Sequence, residues 1–291
     1  MKEIAPGVYV ESSYPPYNLV VIDTEKGGII VDIPPNPVHA VTWFEQARGT
    51  VGKLRYAVLT DAMRERQLAT ATCDMPMIAS EGMLRVMETY DDERPRRDWL
   101  EDLASRYPEE AEAIDSLRPR KPGLAFSESF TLYGERRDLV FETVAGAGPG
   151  SLWLLIPDEG ILIAGDIVVG STVPLMAETP DSKAWLNTMT ALAHRHDVKM
   201  IIPGRGDAPI SLGDIEPQRE FMRVMRRAAR TLARRDADSL SLSQTSQELG
   251  QTFFNQQGPK AVKQIKAGLE HLVAEVVAAQ GEDTESDEDE E

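Results

Sequence analysis

Short β-branched runs, cut by Gly and Pro turns, occur in two sets on either side of a long charged segment with helical spacing, and few architectures accept that order. The first set predicts strands over 8–11, 18–23 and 28–32, a turn at 25–28, and a buried strand over 53–59. Pro35-Asn-Pro37 precedes a helix predicted over 38–47, since proline suits the first helical turn. A helical stretch from about Arg64 and a short strand over 76–79 complete this half, and residues 81–117 read as two or three helices covering a face. The second set predicts strands over 125–132, 138–144, 151–156 and 160–164, a helix over 182–194 and a strand over 199–202. Two comparable halves of this kind predict an α/β fold, with sheets packed together and flanked by helices. From Pro217 onward the pattern is helical. Phe221, Val224, Met225, Ala228 and Leu232 form an apolar stripe, arginines crowd the rest of that surface, and 261–279 form a last amphipathic helix.

Four segments then stand at strand ends in a fixed order: Leu59-Thr-Asp-Ala-Met-Arg-Glu-Arg66, Gly146-Ala-Gly-Pro-Gly-Ser151, Gly165-Asp166 and Ile202-Pro-Gly-Arg-Gly-Asp207. Together they resemble the metallo-β-lactamase superfamily, whose corresponding segments read Thr-His-x-His-x-Asp-His, Gly-His-Thr-Pro-Gly-Ser, Gly-Asp and Pro-Gly-His-Gly. The resemblance covers roughly residues 5 to 210. It implies a four-layer αββα metallo-β-lactamase-like sandwich over 1–210, followed by a helical C-terminal extension over 211–280 and a disordered acidic tail over 281–291.

The departures carry more information than the matches. Where the family places histidines, this chain has Asp61, Met63, Arg66, Ala147 and Arg205, and Glu65 takes the place of its aspartate. Asp166 alone matches a metal ligand of the family. Zinc hydrolases hold the ion through neutral imidazoles and carboxylates, leaving a position open for a water whose pKa falls to about 7. Alanine offers no donor, a guanidinium stays protonated, and a thioether favours softer metals. No zinc cofactor is expected. The alternative is a hard divalent cation on Asp61, Glu65 and Asp166, which two nearby arginines would oppose. A carboxylate cluster stripped of its metal is costly to bury unless other cations replace it. Arg66 and Arg205 are therefore expected to pair with Asp166 and Glu65, and with Asp61 or Asp207. Asp32, at the end of the third strand, reads as structural.

No other motif competes with this constellation. His194 and His196 suit the C-terminal end of a helix, His39 reads as exposed, His271 as a surface residue, and the single cysteine, Cys73, as buried or inert. One thiol, no signal peptide pattern and no long apolar run point to a cytoplasmic protein. The net charge of −17 owes much to the acidic last segment and weighs against nucleic-acid binding. The expected function is a non-hydrolytic homologue that binds, regulates or scaffolds. Its partner is an unidentified protein or small ligand, with no membrane role, and the amphipathic terminal helices also suit a homodimer. The alternative is a hydrolase with a remodelled carboxylate or metal-independent centre.

Overall fold

The structure is a computed structural model and describes residues 1–89, 97–235 and 238–288. The chain runs β1 (Lys2–Ala5), β2 (Val8–Tyr14), β3 (Tyr17–Ile22), β4 (Gly28–Val31), α1 (Pro37–Val51), β5 (Leu54–Val58), α2 (Arg64–Ala69) and β6 (Met77–Ser80). Helices α3 (Glu81–Glu88), α4 (Arg97–Arg106) and α5 (Ala111–Asp115) follow, then strands β7 (Leu124–Phe126), β8 (Ser129–Leu132), β9 (Leu139–Thr143), β10 (Leu152–Ile156) and β11 (Ile161–Gly170). Helix α6 (Ser182–Leu192), strand β12 (Met200–Gly206) and helices α7 (Glu216–Arg234), α8 (Ser239–Phe254) and α9 (Gly258–Glu288) complete the order. Local chemistry sets several boundaries. The Asn36 side chain accepts from the Val38 and His39 amides and starts α1, and Gly52, at φ 77°, ends it.

The strands follow the path β7-β6-β5-β4-β3-β12-β11-β10-β9-β8, with β1 and β2 added beside β3. This path folds into two packed layers. Val20, Ile22, Ile29, Val31 and Val58 from one half meet Phe141, Leu154, Ile161 and Ile163 from the other in a shared interior. On the outer face of the first half, Ile30, Leu19 and Ala57 pack on Trp43 and Phe44 of α1. On the outer face of the second half, Leu155, Leu162 and Ile201 pack on Trp185 of α6 and Phe221 of α7. Helix, sheet, sheet, helix is the expected four-layer α/β order.

Three differences from the sequence reading have physical causes. The single strand expected over 125–132 is two strands: β7 pairs with β6 and β8 with β9, so the chain crosses between layers at Ser127-Glu128. His39 is half-buried, with its ring 5.3 Å from both Tyr14 and Tyr107. Helix α9 runs to Glu288, into the segment expected to be disordered. Adding a residue to an established helix costs far less than starting one, and glutamate is a good helix former. Residues 289–291 of that segment lie outside the described ones. Of the arginines on α7, Arg223 meets Glu216 at 2.9 Å and Arg226 meets Glu275 at 3.6 Å, whereas Arg227, Arg230 and Arg234 are exposed. Among the described residues no helix is long and apolar enough to cross a membrane.

The C-terminal helices share the core of the second half. Phe221 is fully buried, edge-on to Phe253 and Phe254 at 5.3 and 5.0 Å. Phe221→Ala is expected to cost about 3–5 kcal/mol, read as a lower urea midpoint in one cooperative transition. A separate early transition for the C-terminal helices would contradict the shared core.

Candidate functional site

Backbone geometry gathers the chemistry at one end of the sandwich, where strands β4, β5, β11 and β12 end or bend. Asp32 follows β4, Asp61 follows β5, Asp166 stands within β11 and Arg205 near the end of β12. Asp32 adopts φ 62°, a left-handed conformation that costs energy in a non-glycine residue. Its carboxylate is fixed there by the Thr60 amide at 3.1 Å and the Thr60 hydroxyl at 2.8 Å.

Two buried guanidinium groups occupy the middle of this cluster. Arg205 donates from Nε to Asp166 Oδ2 at 2.8 Å and from Nη2 to Glu65 Oε2 at 2.9 Å. Arg66 places Nη2 at 3.0 Å from Asp32 Oδ2 and 3.5 Å from Asp166 Oδ1. The Tyr17 ring packs beside both cations, at 5.3 Å from Arg66 Cζ and 4.9 Å from Arg205 Cζ. At the rim Arg106 donates to the second oxygen of Glu65 at 2.9 Å. Both expected carboxylates are therefore neutralised by arginine. The pairing expected for Asp61 or Asp207 needs correction. Asp207 takes no part: its backbone amide donates to the Gly170 carbonyl. Among the described residues Asp61 makes no direct ion pair, and it accepts from the Met63 amide at 2.9 Å. Asp32, read from sequence as structural, is the nearest partner of Arg66.

The other two positions have joined the hydrocarbon core. Ala147 and Met63 belong to the same apolar cluster as Trp185 and Phe221, and a Cβ on Gly148 would meet Met63 Cγ at 2.7 Å. Tyr17 and Arg106 carried no sequence signal, because neither lies in a motif and each reaches the site only through the fold.

Charge counting explains the titration behaviour. Asp32, Asp61, Glu65 and Asp166 face Arg66, Arg205 and the rim residue Arg106, so one carboxylate is in excess. Asp61 is the one left without a cation. Burial pushes its carboxyl up, Arg66 opposes, and Asp166 and Asp32 push it further, to about 7. Glu65 shows the reverse: burial would raise it, but Arg205 and Arg106 hold it well below the usual carboxylate range. Burial also raises Asp32, against the pull of Arg66.

A zinc ion does not fit this donor set. Of the positions where the sequence resemblance expected ligands, two hold guanidinium, two hold hydrocarbon or thioether packed in the core, and of the three carboxylates Glu65 and Asp166 are already bound to arginine. Among the described residues no three His, Cys, Asp or Glu side chains form a group able to hold a metal ion, and this covers the set Asp61, Glu65 and Asp166. A divalent ion placed there would sit against two fixed positive charges in a poorly screening interior.

No family model matches the chain, and no curated protein matches it by sequence. Solved structures do. A metallo-beta-lactamase family protein from Thermus thermophilus superposes with a TM-score of 0.64 at 18% identity, covering 94% of this chain and 95% of that one. The chain has the metallo-β-lactamase fold. A metallo-beta-lactamase from Pontibacter korlensis gives 0.59 at 14% identity, over 76% of this chain and 97% of that one. A sec-alkyl sulfatase variant gives 0.57 at 14%, over 93% of this chain and 49% of its own. The Thermus match reaches far enough along the chain that C-terminal helices are part of what is shared with that metallo-β-lactamase-fold protein.

Two outcomes follow from the charge network. Arg66→Ala leaves Asp32 and Asp166 buried without their shared cation, and should lower unfolding free energy by about 3–5 kcal/mol. For Asp61 the folded carboxyl binds its proton more tightly than the unfolded one, whose ordinary value is 3.8. That stabilisation is complete below pH 4 and is lost as pH rises to about 7. Asp61→Asn should therefore gain stability relative to the parent between pH 5 and pH 8, read by chemical unfolding at both values. An unchanged difference across that range would contradict it. Glu65 does not confuse the comparison, since its contribution is lost only on acidification below about 4.5.

Proposed function

We propose that this protein uses the metallo-β-lactamase fold without metal-dependent hydrolysis, as a homologue that binds, regulates or scaffolds in the cytoplasm. One observation carries the reading: Arg66 and Arg205 occupy the centre of the carboxylate cluster and satisfy its charge. Metal hydrolysis requires an ion that acidifies a water molecule, and guanidinium, with no lone pair to offer and a permanent charge, cannot substitute. The network also supplies what the ion would have supplied to folding, a counter-charge that lets Asp166 and Asp32 remain buried.

A metal-free acid–base hydrolase is the competing reading. It would need a proton-transferring group near neutral pH that faces the cleft. Asp61 has the right proton affinity but is buried and does not line the cleft, while Glu65, which does, is held as a carboxylate by two arginines. The helical segment around α3–α5 and the exposed arginines of α7 are the surfaces best suited to a protein partner.

Elemental analysis of purified protein tests the reading together with a hydrolase panel run with and without added Zn²⁺ and Mn²⁺. The expected result is metal far below one equivalent and no turnover in either condition. Stoichiometric zinc, manganese or iron, or turnover that appears on adding metal, would overturn it.

A further inference from the structure

A cleft of about 300 Å³ opens directly above the Arg205–Glu65 pair. Its floor is Met63, Glu65 and Arg205, one wall is Asp102 and Arg106 of α4, and another is Lys260 and Lys263 of α9. Leu175 and Met176 add an apolar side. The volume lies at the lower end of the range for small-molecule sites, and too little space is available for a folded partner.

The lining has five cationic side chains and three acidic ones, in a chain whose net charge is −17. Every acid is already engaged. Glu65 binds Arg205 and Arg106, Asp102 meets Arg106 at 3.2 Å, and Glu178 meets Arg64 at 3.7 Å. The positive surplus is thus Lys260 and Lys263, which meet no acidic partner among the described residues. Their neighbour Lys266, one turn on and facing away from the cleft, pairs with Glu270 at 3.9 Å, so this helix does neutralise a lysine where nothing else is required of it. The first turn of α9 also carries no acidic residue, although acidic residues outnumber basic ones in the chain by 48 to 31.

The wall is firmly placed. Gln257, just before α9, donates to the Ser171 carbonyl at 2.6 Å, and a Cβ on Gly268 would meet Met176 Cβ at 3.2 Å, so α9 lies tight against the 171–176 segment. The floor is equally fixed by the two hydrogen bonds of Arg205, at 2.8 and 2.9 Å. Such a site is organised before any ligand arrives, which lowers the cost of binding.

We propose that this cleft binds a small dianionic organic molecule, a dicarboxylate or a phosphorylated compound, with Lys260 and Lys263 meeting its anionic groups. Met63, Leu175 and Met176 take its apolar body. The inference rests on the metal-free reading above, because an ion on the floor would itself attract the anion. Lysine suits this task as a mobile point charge for either oxyanion, and a concave surface with a net positive surplus raises the local concentration of anions.

The test uses the full-length protein and two probes, glutarate and pyrophosphate, titrated at constant ionic strength with thermal shift and calorimetry as readouts. Metal content is measured on the same sample. At least one probe is expected to raise the melting temperature saturably. Binding should weaken at least tenfold in the Lys260→Gln/Lys263→Gln variant and stay unchanged in Lys266→Gln. Both lysines are exposed, so the double variant should fold as the parent does. A response to glutarate alone assigns the carboxylate class, and to pyrophosphate alone the phosphate class. No saturable shift with either, or equal binding by the double variant, would refute the site. Metal-free protein that binds neither probe sinks this proposal alone. Metal found at one equivalent sinks the earlier reading, and this proposal with it.

Discussion

The contact of Arg205 with Asp166 and Glu65 is the interaction on which the rest of the structure turns. Arg205 belongs to β12, and the pair Arg205–Tyr17 is the register point at which β12 meets β3 and the two halves of the strand path join. The same junction is tied by Asn18, whose side-chain amide donates to the carbonyls of Pro203 and Gly206 at 3.0 and 2.9 Å. One residue therefore links the two layers through its backbone and neutralises a carboxylate from each half through its side chain. A metal ion bridging ligands from both halves would serve the same mechanical purpose, with different chemistry.

How the buried charges of this site are balanced follows from the cost of its parts. Buried carboxylates need counter-charge or protons. Here Asp166, Glu65 and Asp32 receive guanidinium, and the Asp61 carboxyl, left without one, is pushed up to about 7. The space where imidazoles would stand is shared between those guanidinium groups and the Met63–Ala147 hydrocarbon, which continues into the core around Trp185. Arg66 differs from Arg205 in detail. It is held by ion pairing at 3.0 and 3.5 Å and by the face of Tyr17, and its nitrogens make no aligned hydrogen bond among the described residues. Arg205 carries the directional bonding, and Arg66 chiefly supplies charge.

The C-terminal helices connect this centre to the outside. Helix α7 closes the core of the second half through Phe221, while α9 passes over the mouth of the cleft and presents two lysines to it. Stability and site shape are thus built from the same segment, which a sequence division into sandwich and extension does not convey.

The alternation of strands and helices was legible in the chain because periodic burial imposes periodic hydrophobicity, and the four motif-like segments were legible because each lies at a strand end. Residue chemistry alone also decided that an ordinary zinc set was missing, since Ala147 and Arg205 cannot be ligands in any fold. What sequence could not decide was which charges meet. Asp32 and Asp61 both follow hydrophobic strands and look alike as text, yet one pairs with Arg66 while the other makes no ion pair among the described residues. Tyr17 and Arg106 were equally silent. Ion pairing depends on separations of a few ångströms between side chains from distant segments, and only the packing of the two layers sets those separations.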